Sequence, residues 1–527
     1  MAPAGICQRG GLLRARDVWS DGEVTTGPGD RPAATATTPT TSADSGTTRH
    51  VARHAARPAA SGLFGRSLLF TVVAAAQLVT GALVSPVLAH VLDDPAQVGL
   101  LSAAIALHQL LVVLALVGTD QAVVLQRAQD GHDREVRALA AAAVALTLGV
   151  TLLLWGTAVW WSPLFGFPDG TVALPGLVGV TVWWTVPSTA VMIALGLLLA
   201  GDRLRAYTVV SVLAAIGGQV AGLSAVLLWG GGATTYAWGL LGADLLAAVV
   251  GWRLTRPRWR GMLNPRVLAP ALALGAPLMV GQLSVFVLNA GDRVVIQRLA
   301  GAGELGRYQI AYTVGFLALQ LISLAGGSWL PRFAQIADPT RRRRLIATTR
   351  DHVYRLLTPV LLGLTLAAPV VLVVAAPPSF APRDLLGVVV LVAISAYPVA
   401  AATASSRVLV TERRTRPLAV CTALAAALNI ALNLLLIPVA GIAGAAGATA
   451  IAYSVQALAQ RTAVRARPGE WPGTPPRVLA EVAAVVVLVL AMVALPATTA
   501  FDAVRFGLAV ACLPWCLVRL RRARAAV

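Results

Sequence analysis

Uninterrupted apolar runs of about twenty residues recur along most of this chain, and they constrain its fold more than any other feature. Lipid cannot satisfy a bare backbone, so a segment of that length must cross a membrane as a helix. A membrane barrel would instead show short strands of alternating polarity, a pattern that this sequence lacks. Only 12% of the residues are charged, about half the fraction typical of soluble domains. The sequence therefore predicts an all-α polytopic membrane protein.

About fourteen transmembrane helices are predicted from the apolar runs. Their approximate bounds are 66–90, 97–125, 138–161, 174–200, 206–229, 235–253, 268–297, 304–334, 354–376, 384–404, 416–437, 440–461, 477–496 and 503–520. The arginines test this arrangement, because loops on the cytoplasmic side carry an excess of basic residues. With a cytoplasmic N-terminus, only five of the 42 basic residues fall outside, namely Arg293, Arg298, Arg307, Arg383 and Arg505. Both termini are therefore predicted to be cytoplasmic.

An internal repeat divides the predicted helices into two lobes. Leu92 and Leu299, Gly99 and Gly306, and Ala104 and Ala311 share one offset of 207 residues, which is six helices. Because the repeat keeps its orientation, the two halves should be related by an axis along the membrane normal, with a central cleft between them. The predicted division is a disordered basic tail at 1–61, six-helix lobes at 62–254 and 255–465, and two extra helices with a basic tail at 466–527.

The net charge of +19 does not indicate nucleic-acid binding, because the arginines are scattered through short loops where the topology accounts for them. The four cysteines have no disulfide or metal-ligand spacing. There is no Walker A sequence. No cofactor, metal or catalytic group is therefore expected.

The segment from Gln77 to Arg127 resembles the opening of Wzx-type polysaccharide flippases of the multidrug/oligosaccharidyl-lipid/polysaccharide (MOP) exporter superfamily. The matching positions are Pro86, Leu88, Ala89, Leu92, Pro95, Gly99, Gly118 and Arg127, with His90 where the family usually has Arg. The second half is similar to the family's later motifs at Asp292-Arg293, Arg298-Leu299, Gly306, Tyr308, Ala311-Tyr312 and Leu330-Pro331-Arg332.

This resemblance implies a transporter in the bacterial cytoplasmic membrane that flips a polyprenyl-diphosphate-linked oligosaccharide by alternating access. Membrane lipids, polysaccharide polymerases and glycosyltransferases are candidate partners. A lipid II or multidrug exporter of the same superfamily is the alternative. An integral membrane polymerase or ligase is disfavoured, because such enzymes usually display a large external loop or paired acidic residues, which this sequence lacks.

Ionisable residues within a membrane span are costly and are the first functional candidates. In the seventh predicted helix, Gln282, Asn289 and Arg293 fall on one face at spacings of seven and four, with Asp292 beside them. Arg293 is a candidate contact for the substrate diphosphate. Alternatively, it pairs with Asp292 at the outer interface or snorkels there. Arg298 is expected at the outer mouth of the cleft.

The second predicted helix contributes Gln109 to the candidate substrate site, and Asp120 and His108 as candidate ion-coupling residues. Asp120 could equally cap the cytoplasmic helix end or pair with Arg127, and His108 could equally join two helices by a hydrogen bond. Gln77 in the first helix is a further substrate candidate. Weaker candidates, either for sugar contacts or for helix packing, are Gln219, Asp244, Gln309, Gln320, Asn429, Asn433, Gln456 and Gln460.

Overall fold

A computed structural model describes residues 79–130, 133–168, 170–260, 264–466, 470–495 and 498–526, together with Ala76 and Met262. The predicted tail at 1–61 and Gln77 lie outside these residues. The helices are α1 (Val79–Leu92), α2 (Pro95–Leu116), α3 (Thr119–Asp130), α4 (Asp133–Gly156), α5 (Ala158–Trp161), α6 (Leu177–Ala200), α7 (Leu204–Trp229), α8 (Ala233–Thr255), α9 (Pro265–Leu299), α10 (Gly301–Ala334), α11 (Pro339–Ala375), α12 (Leu386–Ile394), α13 (Ala396–Thr411), α14 (Thr415–Arg465), α15 (Pro476–Val493) and α16 (Thr499–Ala526).

The described chain is all-α, and eleven of its segments are long and apolar enough to cross a membrane. One of these, the 51-residue α14, is two spans joined at a bend. The 34-residue α10 and the apolar α1 complete a set of about fourteen, which confirms the predicted fold class. Trp160 and Trp229 are each 78% exposed at the ends of α5 and α7, the interfacial position that tryptophan favours in membranes.

Two ends of the helical bundle serve as reference points below. The apical end is where α9 ends at Leu299 and α10 begins at Gly301, and the basal end is where α9 begins at Pro265 and α13 ends at Thr411. The predicted topology places the basal end in the cytoplasm, and this orientation stays a prediction. Helices α15 and α16 pack against α11, and Arg519 near the end of α16 donates to Glu481 of α15 at 2.8 Å.

Two of the differences from the bounds predicted by hydropathy have a clear local cause. The predicted helix 97–125 is broken between α2 and α3, where Val117 and Gly118 both have positive φ. Helix α11 begins fifteen residues earlier than predicted, because Asp338 caps it by accepting hydrogen bonds from the Thr340 and Arg341 backbone N–H groups. Its first turns carry the run Arg341 to Arg344, so they are helical without being apolar, and a hydropathy pattern cannot detect them.

The bend in α14 depends on Gly441. Its backbone has φ 55° and ψ −141°, a conformation that residues with a Cβ rarely adopt. Pro438 lies one turn earlier and also interrupts the helical hydrogen bonds. The two halves of α14 can therefore return through the bundle side by side, as the two separate helices predicted at 416–437 and 440–461.

We expect Gly441→Ala to lower the stability of the protein by about 1–3 kcal/mol, because the new Cβ strains this backbone conformation. Thermal unfolding of the purified protein in detergent measures the effect. Gly447→Ala is the matched control, since Gly447 is helical with open space around its Cβ position. Equal melting temperatures for the two variants would contradict this role of Gly441.

The repeat offset of 207 residues reappears as a reciprocal contact at the apical end. A Cβ on Gly99 of α2 would overlap the backbone of Ala302, and a Cβ on Gly306 of α10 would overlap the backbone of Pro95. Adding 207 to Pro95 and Gly99 gives Ala302 and Gly306, so the repeat converts each of these two contacts into the other. One turn further, Ser102 donates to the Gln309 side chain at 2.9 Å, again across 207 residues. The pseudo-twofold axis of the repeat therefore passes between α2 and α10, where the two lobes meet.

Candidate substrate cavity

A cavity of about 620 Å³ lies beside the polar face of α9. The predicted residues Gln282 and Asn289 line it, seven positions apart on that face. The other polar lining residues come from α3, α13 and both halves of α14. They are Gln121, Thr403, Ser406, Thr415, Thr422, Tyr453, Gln456 and Gln460. None of the described lining residues carries a charge at neutral pH, so the cavity offers amide and hydroxyl groups against an apolar background.

Arg293 lies one helical turn beyond Asn289, at the apical limit of the cavity. Its Nη1 donates to the Asn289 backbone oxygen at 2.9 Å and to the Asp292 carboxylate at 3.2 Å. Its Nε donates to Gln309 at 3.1 Å, and its guanidinium lies 4.4 Å from the centre of the Tyr312 ring. The side chain is 13% exposed. Arg293 is thus paired with Asp292 and also immediately adjacent to the cavity.

The aromatic residues around this pair hold it in place. Asp292 is 3% exposed and accepts hydrogen bonds from the Tyr308 hydroxyl and from the Arg293 backbone N–H. Tyr453 donates to the Asn289 side chain at 2.8 Å, which connects α14 to the same face of α9. Buried charges are tolerated when they are paired and hydrogen-bonded, as these are.

The Arg293 network also joins the two lobes. Gln309 accepts from Arg293 and from Ser102, so one amide oxygen links α9, α10 and α2. From the sequence, Gln309 is only a weaker candidate, and neither Ser102 nor Tyr453 is singled out. The offset of 207 could have paired Ser102 with Gln309, whereas Tyr453 carries no comparable sequence signal.

Gln109 is exposed on α2 and lies seven residues after Ser102, which places both on the same helical face. By the helical rise, Gln109 lies about 10 Å nearer the basal end than Ser102, and it is not among the residues that line the cavity. Asp120 is buried in the first turn of α3 and accepts from Gln121 at 2.8 Å, and Gln121 lines the cavity. Arg298 lies exposed at the apical end of α9.

His108 lies inside the first lobe rather than in the cavity. Its ring stacks on Trp184 with a centroid distance of 3.6 Å, and the Trp184 indole donates to Asp244 at 2.7 Å. Ser188 donates to the same Asp244 oxygen. This chain of contacts connects α2, α6 and α8 through polar groups within an apolar lobe. Of the two ion-coupling candidates, Asp120 is therefore the nearer to the cavity.

Several weaker candidates hold helices together. Asn433 donates to the Asn429 side chain at 3.1 Å, and Asn429 donates to Thr449 at 3.4 Å across the two halves of α14. Tyr236 donates to Gln219 at 2.6 Å between α7 and α8. Among the described residues, no group of three or more His, Cys, Asp or Glu side chains is arranged to hold a metal ion.

The fold matches solved membrane transporters along most of the chain. A structure of the lipid II flippase MurJ in an inward closed conformation aligns with a TM-score of 0.67 and 12% identity, covering 86% of this chain and 98% of that one. An inward-facing multidrug resistance MATE family transporter of the MOP superfamily aligns with a TM-score of 0.57 and 12% identity, over 78% and 98% of the two chains. A mutant of the Vibrio cholerae MATE transporter VcmN gives 0.51, with 14% identity over 77% and 97%.

No curated protein matches the chain by sequence. The family model described as "Polysaccharide biosynthesis protein" matches residues 68–337, which is just over half of the chain. This match includes α2, α9 and α10, which carry the Arg293 network. The chain therefore belongs to the polysaccharide biosynthesis protein family and has the transporter fold of the MOP exporter superfamily.

Proposed function

We propose that this protein flips a polyprenyl-diphosphate-linked oligosaccharide across the bacterial cytoplasmic membrane. The observation that carries this proposal is an uncharged cavity, lined by amides and hydroxyls, which ends beside the partly buried Arg293. Sugar hydroxyl groups both donate and accept hydrogen bonds, and Gln, Asn, Ser and Thr side chains match them. The family description supports a polysaccharide precursor as the cargo.

The diphosphate is assigned to Arg293. A guanidinium fork binds phosphate oxygens in two parallel hydrogen bonds, which strengthens the contact in a site shielded from water. In the described conformation Arg293 contacts Asn289, Asp292 and Gln309. A diphosphate would replace some of these contacts, and the polyprenyl tail would stay in the lipid. Gln282, Asn289 and Gln109 are assigned to the head group and Arg298 to the apical end of its path, and Gln77 is a further contact proposed from the sequence alone.

Alternating access would follow from the lobe contacts. The pairs Gly99–Ala302, Gly306–Pro95 and Ser102–Gln309 close the apical end of the bundle, so the cargo would enter from the basal end. Release requires these contacts to part. Because Gln309 touches both Arg293 and Ser102, a diphosphate that draws Arg293 away from Gln309 would weaken the apical closure. Asp120 and His108 are assigned to ion coupling.

A multidrug exporter is the second candidate, favoured by the shared fold with MATE transporters. The two proposals differ in what they require of the cavity. An organic cation needs a carboxylate or an aromatic surface, whereas a lipid-linked sugar needs hydrogen-bonding groups and a cation for its diphosphate. The amide-rich lining with Arg293 beside it fits a lipid-linked sugar better than an organic cation.

Depletion of the protein in its bacterial host tests the proposal. Labelled lipid-linked oligosaccharide should accumulate on the cytoplasmic face of the membrane, because synthesis continues while export stops. Unchanged export, with altered polymer length or composition, would contradict the transport function and favour an enzyme. Changed drug resistance without any accumulation would favour the multidrug exporter.

We expect Gln282→Leu to lower the transport of the lipid-linked sugar about three- to tenfold, because each neutral hydrogen bond contributes about 0.5–1.5 kcal/mol. Initial transport rates at matched membrane abundance measure the effect. Ser284→Ala is the control: Ser284 lies on the same helix, donates to the Val280 backbone oxygen and is not among the residues that line the cavity. If both variants transport at the wild-type rate, Gln282 does not contact the head group.

A further inference from the structure

Two arginines approach a single carboxylate at the basal end, one from α11 and one from the turn between α13 and α14. Arg343 of α11 donates from Nε to Glu412 at 2.7 Å, and Arg414 Nη1 lies 4.0 Å from the other Glu412 oxygen. The side chains of Arg343, Glu412 and Arg414 are only 5%, 11% and 12% exposed. Two positive charges therefore share one negative charge in a largely buried position.

The geometry leaves hydrogen-bond donors in this cluster without acceptors. Arg343 Nη1 and Arg414 Nη1 are both buried, and neither has an acceptor among the described residues. A buried N–H of a charged group is costly to leave unbonded, and the cost is greater when the surrounding charge is also uncompensated. The pair is therefore complementary to an additional anion that presents more than one oxygen.

A second group of arginines extends the same positive region. Arg350 pairs with Asp351 at 2.8 Å, donates to the Pro472 backbone oxygen and faces the Trp471 ring. Arg461 on α14 lies close enough to Arg350 to repel it, and Arg461 Nε is also buried without an acceptor among the described residues. Apolar contacts join these segments of α11, α13 and α14 into one basal unit.

We propose that Arg343 and Arg414 form a binding site for a phosphate group, which belongs to an anionic phospholipid of the surrounding membrane. Guanidinium groups are suited to phosphate oxygens, and basic pockets between transmembrane helices on the cytoplasmic side are known places for anionic head groups. Large apolar side chains flank the turn: Val410, Val420 and Leu424 are 40%, 57% and 62% exposed. They offer a surface for acyl chains beside the head group.

This site is distinct from the substrate cavity but adjacent to its basal mouth. Thr415, the residue after Arg414, lines the cavity together with Leu418. A bound phospholipid would compensate the charge of Arg343 and Arg414 and hold α11 against the α13–α14 turn. The second lobe would be stabilised whether or not a sugar is being transported.

Native mass spectrometry of the full-length protein in detergent tests the proposal, with cardiolipin and phosphatidylglycerol as anionic probes and phosphatidylethanolamine as the zwitterionic probe. We expect Arg414→Gln to weaken anionic lipid binding about tenfold, because it removes one charge-assisted contact. Glu412→Gln should strengthen binding, because it removes the carboxylate that competes for both arginines. Arg344→Gln is the matched control, since Arg344 is 62% exposed and pairs with Glu470.

Three outcomes would overturn the proposal. If Arg414→Gln and Arg344→Gln weaken lipid binding equally, the effect is one of general surface charge. If Glu412→Gln lowers the melting temperature and leaves lipid binding unchanged, the cluster is a structural ion pair only. If inorganic phosphate displaces all bound lipid, and if it stabilises the wild type but not Arg414→Gln, the site takes a soluble anion instead. Arg343 still pairs with Glu412 in Arg414→Gln, so this variant is expected to fold.

Discussion

Replacing Gly306 with leucine is expected to abolish transport. A side chain at this position would overlap the backbone of Pro95 in the apical contact between α2 and α10. Overpacking of this kind costs up to about 3 kcal/mol, and the cost falls only on the conformation in which the apical ends touch. That difference would lower the population of the closed state about a hundredfold. The variant should therefore fold but fail to complete the transport cycle.

Two measurements separate this effect from misfolding. Ser379 donates to Asp93 at 2.7 Å at the apical end, so a pair of cysteines at 93 and 379 reports closure by disulfide formation. The pair should cross-link readily in the parent protein and poorly in Gly306→Leu. Gly303→Leu is the control, because Gly303 lies one turn earlier on α10 with open space at its Cβ position. Efficient cross-linking with normal transport in Gly306→Leu would disprove the role of this contact in gating.

Replacing Arg293 with glutamine is expected to lower transport of a diphosphate-linked sugar about a hundredfold. Two charge-assisted hydrogen bonds to the cargo would be lost, at about 1.5–3 kcal/mol each, partly offset by the amide that replaces them. Arg293→Lys should recover only part of the activity, because a lysine keeps the charge but cannot form the bidentate contact. Initial flipping rates at equal protein density measure both variants.

The Asp292 carboxylate complicates the Arg293 variants, since removing its partner leaves a buried charge uncompensated. The double variant Asp292→Asn with Arg293→Gln removes that penalty and should regain thermal stability without regaining transport. Arg383→Gln is the control for charge at the apical end, because Arg383 is exposed and has no assigned contact with the cargo. If the double variant regains transport as well as stability, Arg293 serves the fold and not the cargo.

Hydropathy and charge alone predicted the number of spans, because lipid imposes length and helicity on every crossing segment. They could not predict the polar first turns of α11, because the Asp338 cap and not hydropathy sets where this helix begins. They also could not predict the break at Val117–Gly118, where the helix ends through two residues with positive φ. The repeat offset of 207 was visible as residue matches. Its meaning as a reciprocal contact between Gly99 and Gly306 required the packed structure.

The candidate site was accessible to sequence reasoning only along single helices. Gln282, Asn289 and Arg293 were placed on one face of α9 by their spacing, and the structure places the first two in the cavity. The partners from other helices, Tyr453 of α14 and Ser102 of α2, come together only through tertiary packing. The uncharged lining of the cavity is likewise a property of several helices, and no single segment encodes it.

Transport by the purified protein in vesicles tests the central claim most directly. The protein would be reconstituted with fluorescently labelled polyprenyl-diphosphate oligosaccharide in one set of vesicles and with a lipophilic drug cation in another. Accessibility of the sugar to an external glycosidase would report flipping. We expect the lipid-linked sugar to cross at a rate that depends on Arg293, and the drug cation to remain where it was placed. Transport of the drug cation without flipping of the sugar would contradict the account.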